Sequence, residues 1–395
     1  MLTDVVVVGG GPVGLTAAVL LARAGLDVAV VDRRAGPVTQ SRATDLHSRT
    51  LEALAPSGLA GTLCSVGRTV DRVEMWSRGR WLGGFGTNRL RSPHPYILTV
   101  PQCAVEGVLT EEARKAGVRM HRSADVRALR ETPGGVALTT DSSRELRARC
   151  AVAADGASST LRALTGTPFR GTTYPGSWFL ADLRVTEPSV DPGRVHMICD
   201  PRGLLVVLPM HLEGWVRVVM HRPGPALAGR GAPSAYARDE GGLAGVMAET
   251  SARGWTATVR EIRWAGSFRI HRRLAGRTPC RRVLLVGDAA HLCSPIGGQG
   301  LNLGLRDAVT LAGTLPRALA DGGTHQDLLD RWRRDRRADA LGVLARTDAA
   351  TRAWTLRTRA AGTVRDTALR HVLATRAGRH ALAEAVAGRA VRTLA

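Results

Sequence analysis

The chain has 395 residues, 44% of them hydrophobic, with 55 Lys+Arg against 34 Asp+Glu and a formal net charge of +21. At roughly 100–200 residues per domain this length holds two or three domains, and the composition excludes collagenous, disulfide-framework and fully disordered chains. All but one of the cations are arginine, the lysine being Lys115, and they are spread through every segment while aromatics reach only 4%, which argues against a nucleic-acid surface.

No apolar run approaches the ~20 residues of a bilayer crossing. Met1-Leu2-Thr3-Asp4 enters a strand with no basic leader or cleavage signal, so a cytoplasmic protein is expected. Cys64, Cys103, Cys150, Cys199, Cys280 and Cys293 show neither CxxC pairing nor metal-ligand spacing, so free thiols and no metal are expected.

Residues 4–8 form an apolar strand, followed by Gly9-Gly10-Gly11-Pro12-Val13-Gly14 and an apolar helical stretch to Ala24. A second apolar strand, 26–31, closes on Asp32, which makes a βαβ unit. Gly9 permits the tight turn, Gly11 lets backbone approach a pyrophosphate, and Gly14 allows close packing of helix on strand. Asp32 stands 18 residues after Gly14, near the ~20 expected of an acid that accepts ribose hydroxyls. Placed between strand and helix, this motif is specific for a dinucleotide.

A helix is expected at 42–55, strands at 70–76 and 80–85, and a helix at 102–116. Short strands near 124–131, 136–140 and 145–149 form a meander, and 150–154 is a further apolar strand ending in Asp155-Gly156. Residues 168–273 read as strands separated by Gly/Pro turns, a mostly antiparallel second domain. Another apolar strand at 283–286 ends in Gly287-Asp288. Pro295-Ile296-Gly297-Gly298-Gln299-Gly300-Leu301-Asn302 then precedes a helix at about 302–315. Bare backbone at Gly297, Gly298 and Gly300 lets a flat ring lie close, and the helix N-terminus suits an electron-rich edge such as that of a flavin. From Thr324 the chain is helical and arginine-rich, and the Arg331–Arg337 run reads as a solvated face supported by the pairs Asp327/Arg331 and Asp330/Arg334.

Together the three glycine-containing strand ends resemble those of the class A flavin-dependent aromatic monooxygenases, the para-hydroxybenzoate hydroxylase family, and within it the aromatic polyketide tailoring oxygenases. The second motif stands here as Asp155-Gly156-Ala157-Ser158-Ser159-Thr160-Leu161-Arg162. The resemblance implies an α/β fold: a Rossmann-like FAD-binding domain, a mostly antiparallel β-sheet substrate domain and a C-terminal helical segment. Its boundaries are 1–167 plus 274–323, then 168–273, then 324–395, with strands near 70–98 open to joining the substrate sheet. The thioredoxin-like domain of many relatives is not expected within this chain.

By the same resemblance Gly9, Gly11, Val13 and Gly14 hold the dinucleotide, Asp32 and Arg33 the adenosine ribose, and Arg42 the pyrophosphate. Gln102 sits near the ribityl or pyrophosphate region, and Val126 offers backbone to adenine. Asp155, Gly156 and Asp288 follow the flavin chain. Pro295, Gly297, Gly298, Gly300, Leu301 and Asn302 approach the ring. Each has a plainer competitor: Arg42 and Arg49 as a solvated helix face, Gln102 as a helix decoration, Arg162 as a surface cation. His47 and His291 titrate near neutrality, but His291 reads as a packing residue.

The implied activity is FAD- and NAD(P)H-dependent insertion of one oxygen atom from O2 into a polycyclic aromatic substrate through a flavin C4a-(hydro)peroxide, with FAD held non-covalently. No universal catalytic side chain is expected. A reductase or oxidase of the same fold, or a redox-silent FAD scaffold, are the alternatives. A halogenase is disfavoured, since the lone lysine lies in the helix after Gln102 and no Trp-x-Trp-x-Ile-Pro run is present.

Overall fold

The computed structural model describes residues 2–38, 45–224, 240–320 and 325–389. Its first sheet grows around Leu2–Val8, which pairs in parallel with Val28–Val31 on one side and Glu145–Ala153 on the other. Arg119–His121 and Val283–Leu285 extend the two flanks, again in parallel. Val5 and Val7 point into one core, beneath the helices Pro12–Arg23, Gln102–Lys115 and Gln299–Ala318. Val6 and Val8 point into another, with Val126, Val136 and Leu161. That two-sided burial is why the strand is an unbroken valine run rather than an alternating one.

Glu145–Ala153 is one continuous strand, where the sequence suggests a meander strand and a separate apolar strand. A single edge serves two partners. Its first half pairs antiparallel with Gly135–Thr140 and its last three residues pair in parallel with Val283–Leu285.

The second sheet runs, in spatial order, through Thr258–Phe268, Ser177–Thr186, Trp215–Arg222, Gly203–Pro209, Val195–Asp200, Arg72–Ser77 and Arg80–Gly86. Neighbours are antiparallel except Val195–Asp200 with Arg72–Ser77. One face buries Phe179, Val218 and Met220 against Val246 of the helix Glu240–Ser251 and Trp255. The other face, with Trp178, Leu180 and Val219, turns toward the strand ends of the first sheet.

The tail folds as Gln326–Trp354, Arg359–Ala374 and Arg376–Val386. Its arginine run is solvated on one side, at Arg331, Arg334 and Arg337, and packed on the other. Trp332 is buried, Arg333 donates to Asp330 and to the Arg281 carbonyl, and Arg336 reaches Asp307 and Asp339. The pairs that form are thus i,i+3 and inter-helical, because this face packs on Gln299–Ala318 instead of water. All six cysteines are free. No helix among the described residues is long and apolar enough to cross a membrane.

Asp307, 1% exposed, is the buried hinge of this packing. One carboxylate oxygen accepts the Gly287 N–H at 3.0 Å and lies 2.6 Å from His291 Nε2; the other accepts from Arg336 Nε at 2.9 Å. His291 is thus a structural partner. Asp307→Ala strips the buried Gly287 N–H and His291 of their acceptor and Arg336 of one of its two carboxylates, which typically costs about 1–3 kcal/mol. Urea unfolding is expected to show a loss of that order with an unchanged m-value. A loss below about 1 kcal/mol contradicts this role.

Candidate active site

Parallel pairing brings the C-terminal ends of three strands to one level: Val8 stands opposite Ala153, and Ala153 opposite Leu285. The turns that follow therefore meet at one edge, the usual ligand position of an open α/β sheet. Gly9 has φ +109°, and a Cβ there would lie 2.3 Å from the Ala154 carbonyl oxygen. A Cβ on Gly14 would lie 1.9 Å from the Gly9 carbonyl oxygen. These two glycines let the chain pack on itself, whereas Gly11 faces open space.

Asp32 is 5% exposed and accepts the Gly10 N–H at 2.7 Å. Its ionic partners are Arg34, whose Nη2 lies 3.0 Å away, and Arg122, at 3.4 Å, while Arg33 is exposed on the cavity wall. Arg34 also reaches Glu106, which is fully buried and takes further hydrogen bonds from Gln102 Nε2 and the Val38 N–H. Burial opposes the Arg34 charge, but Asp32 and Glu106 more than offset it and raise its pKa. Gln102 is therefore fixed by its own helix through an i,i+4 pair. Arg42 lies outside the described residues.

At the second strand end Asp155 accepts from Ser159 Oγ and from the Leu161 N–H, so it caps the short helix Thr160–Leu164. Burial pushes its carboxyl up, against those hydrogen bonds. Arg162 is not a surface cation. It is 9% exposed, stacks over Phe169 at 3.8 Å, and donates to the carbonyls of Ala157 and Ala289. That side chain ties the second turn to the third. At the third, Asp288 is exposed toward the cavity.

The glycine loop is held from behind. Asn302 is 1% exposed; its Oδ1 accepts the His47 N–H, and its Nδ2 donates to the Asp45 and Gly298 carbonyls. Gly298 has φ +60°, and a Cβ there would lie 1.5 Å from the Asp45 carboxylate. The His47 ring is buried between Asp45, at 2.8 Å, and Gln299, at 3.1 Å. Gln299 Nε2 also meets the Val386 carbonyl, so the C-terminal helix closes this end.

These parts line one cavity of about 690 Å³, well inside the ~300–1,000 Å³ range of small-molecule sites. Among the residues named from sequence, Gly9, Gly11, Val13, Asp32, Arg33, Gln102, Val126, Asp155, Gly156, Asp288, Pro295, Gly297, Gly298, Gly300 and Leu301 lie on its wall. Gly14 and Asn302 stand behind it. Beyond the glycine loop the cavity continues to the front of the second sheet, past Trp178, Leu180, Met197, Val219 and Phe268. Sequence reasoning missed this wall, together with Arg34, Asp45, Glu106 and Arg217. Two signals were present: the Gln102/Glu106 helical spacing, and the period-two alternation of Trp178, Leu180 and Asp182. Nothing local marks Asp45. No cluster of metal-ligating side chains occurs among the described residues.

A family model described as an FAD binding domain matches residues 2–347. The chain is 34% identical to a rifampicin monooxygenase of Streptomyces venezuelae, over 88% of this chain and 70% of that relative. It superposes on the crystal structure of p-nitrophenol 4-monooxygenase from Pseudomonas putida with a TM-score of 0.85 and 26% identity, covering 99% of each chain. The anhydrotetracycline hydroxylase of Streptomyces rimosus gives a TM-score of 0.79 at 30% identity, over 99% of this chain and 77% of that one. With its strand ends, glycine loop and cavity arranged in this way, the chain belongs to the FAD-binding-domain family and is an FAD-dependent monooxygenase of the class A aromatic hydroxylase type.

Proposed function

We propose that the chain holds one FAD non-covalently along this cavity and, with NADPH or NADH as reductant, transfers one oxygen atom from O2 to a polycyclic aromatic substrate. The observation that carries the reading is the unbroken run of the cavity from the Gly9–Gly14 turn, past the glycine loop, to an apolar sheet face. Backbone at Gly11, Gly297 and Gly300 has no atom nearer than 3.7 Å to a would-be Cβ, which fits a group that must lie against bare chain. The polycyclic class is supported by relatives named for rifampicin and anhydrotetracycline.

When bound, FAD supplies the redox and oxygen-transfer chemistry. The chain supplies placement. The N-terminus of Pro12–Arg23 aims its N–H groups at a pyrophosphate, with Arg42 assigned to the same group by resemblance. Asp32 is assigned to the ribose hydroxyls, which there compete with Gly10, Arg34 and Arg122 for its oxygens, and the Val126 backbone borders the adenine end. Asp288 accepts from the ribityl hydroxyls. The N-terminus of Gln299–Ala318, at Leu301 and Asn302, offers its positive end to the pyrimidine edge. The apolar wall orients the aromatic substrate and keeps water out.

Removing a hydrogen-bond acceptor that carries charge is worth ~1.5–3 kcal/mol, or about 10- to 150-fold in affinity. Asp288→Ala is expected to weaken FAD by that factor in a fluorescence titration of the apoprotein while the fold persists; native affinity contradicts the assignment. Gly298→Ala places a methyl on the Asp45 carboxylate in a left-handed backbone conformation. It is expected to abolish stoichiometric flavin binding, and a yellow, fully loaded variant would be the contrary result.

The activity itself is tested by anaerobic stopped-flow reduction with NADPH and NADH, with and without a polycyclic phenol, followed by product mass. Faster flavin reduction with the phenol and a product one O2-derived oxygen atom heavier are expected. Fast reduction without ligand, with all electrons leaving as hydrogen peroxide across a broad aromatic panel, points instead to an oxidase.

A further inference from the structure

Arg217 interrupts the apolar wall in front of the glycine loop. It stands opposite Asp182 in the register of Ser177–Thr186 and Trp215–Arg222, and the two residues are 1% and 4% exposed. Arg217 Nε donates to Asp182 Oδ1 at 2.6 Å, and Nη2 donates to Oδ2 at 2.7 Å. That edge of the guanidinium is fully used. The planar fork directs Nη1 away from the carboxylate, and Nη1, itself buried, finds no acceptor among the described residues.

An ion pair buried this deeply is weak support for a fold, because an apolar pair of similar volume packs as well. A buried N–H with no partner is a further cost. Both become useful if the cavity's ligand brings an acceptor. The charge balance then says which acceptor. Asp182 already cancels the guanidinium, so a ligand carboxylate would leave a net negative charge among Leu180, Leu208 and Val219. A neutral oxygen satisfies Nη1 without adding charge.

We propose that Arg217 Nη1 is the specificity-determining donor for the aromatic substrate, and that it selects a neutral oxygen acceptor (a ketone, quinone or phenol on a fused ring) over a ring carboxylate. This rests on reading the apolar half of the cavity as the substrate site. The donor fixes the rotation of an otherwise featureless ring system against the wall, and so decides which edge faces the glycine loop.

The test uses FAD-loaded protein and three ring-matched probes: 9-fluorenone, fluorene and fluorene-2-carboxylate. Binding is read by equilibrium dialysis and by the change in the flavin visible spectrum. Wild type is expected to bind fluorenone about tenfold tighter than fluorene, the worth of one hydrogen bond, and to bind the carboxylate weakest. In Asp182→Asn/Arg217→Gln the two amides pair with each other and the third donor is gone. That variant is expected to bind fluorenone only as well as fluorene, with fluorene affinity, FAD affinity and the ligand-free flavin spectrum unchanged. A merely structural pair would affect ketone and hydrocarbon alike.

Equal binding of ketone and hydrocarbon by wild type, or preference for the carboxylate, overturns the proposal even if the variant does not fold. A ketone preference that survives in the variant also overturns it. Lost FAD affinity or a shifted flavin spectrum in the ligand-free variant would place the donor on the flavin instead. If wild type, loaded with FAD, binds none of the three probes, the substrate-site reading falls together with this proposal.

Discussion

The close contact of Gly9 with the Ala154 carbonyl, and of Gly14 with Gly9, is the constraint on which the rest of the molecule depends. It brings the first two strand ends within touching distance and leaves no room for side chains between them. Parallel register then carries the alignment outward to Leu285, so that Gly287-Asp288 arrives at the same edge. Arg162 and Asp307 fix that arrival. One ties the second turn to the Ala289 carbonyl and the other holds the Gly287 N–H from beneath. The edge is thus preorganised by groups that do not face the cavity, an arrangement that holds wall atoms to fractions of an ångström.

Electrostatics divide the cavity into two regions. The strand-end region is crowded with ionised groups in mutual contact, Asp32 with Arg34 and Arg34 with Glu106, and its carboxylates outnumber its cations. The sheet end is apolar apart from the Arg217–Asp182 pair, which is itself neutral. An apolar chamber beside the strand ends suits a reaction whose chemistry resides in the cofactor and whose protein contribution is position and exclusion of water. The formal charge of +21 therefore belongs mostly to the outer surface and to the tail, where Arg333 and Arg336 clamp helices together.

Sequence periodicity and glycine placement made the first domain legible because its function depends on backbone, and bare backbone is written directly as glycine. Gly9, Gly14 and Gly298 are each required by a specific close approach. The second domain was legible as strands but not as a wall, since which of two alternating faces meets the cavity depends on long-range packing. Trp178 and Phe179 are equally apolar, yet only the first lines the cavity. Groups that act through others escaped for a related reason. Glu106 and Asp45 gain meaning only when segments distant in sequence meet. In the arginine run Arg331, Arg334 and Arg337 are exposed as expected, whereas Arg333 and Arg336 turn inward, the first to Asp330 and the second to Asp307 on another helix.

The central claim is that one cavity holds the flavin along the strand ends and presents its ring to the apolar sheet. A crystal structure of the FAD-loaded protein tests it most directly. Adenine is expected beside Val126, ribityl hydroxyls on Asp288, and the ring's pyrimidine edge within hydrogen-bond distance of the Leu301 and Asn302 N–H groups, with one ring face open toward Trp178 and Leu180. Flavin density that leaves the glycine loop uncontacted, or that fills the apolar half of the cavity with adenine, would contradict it.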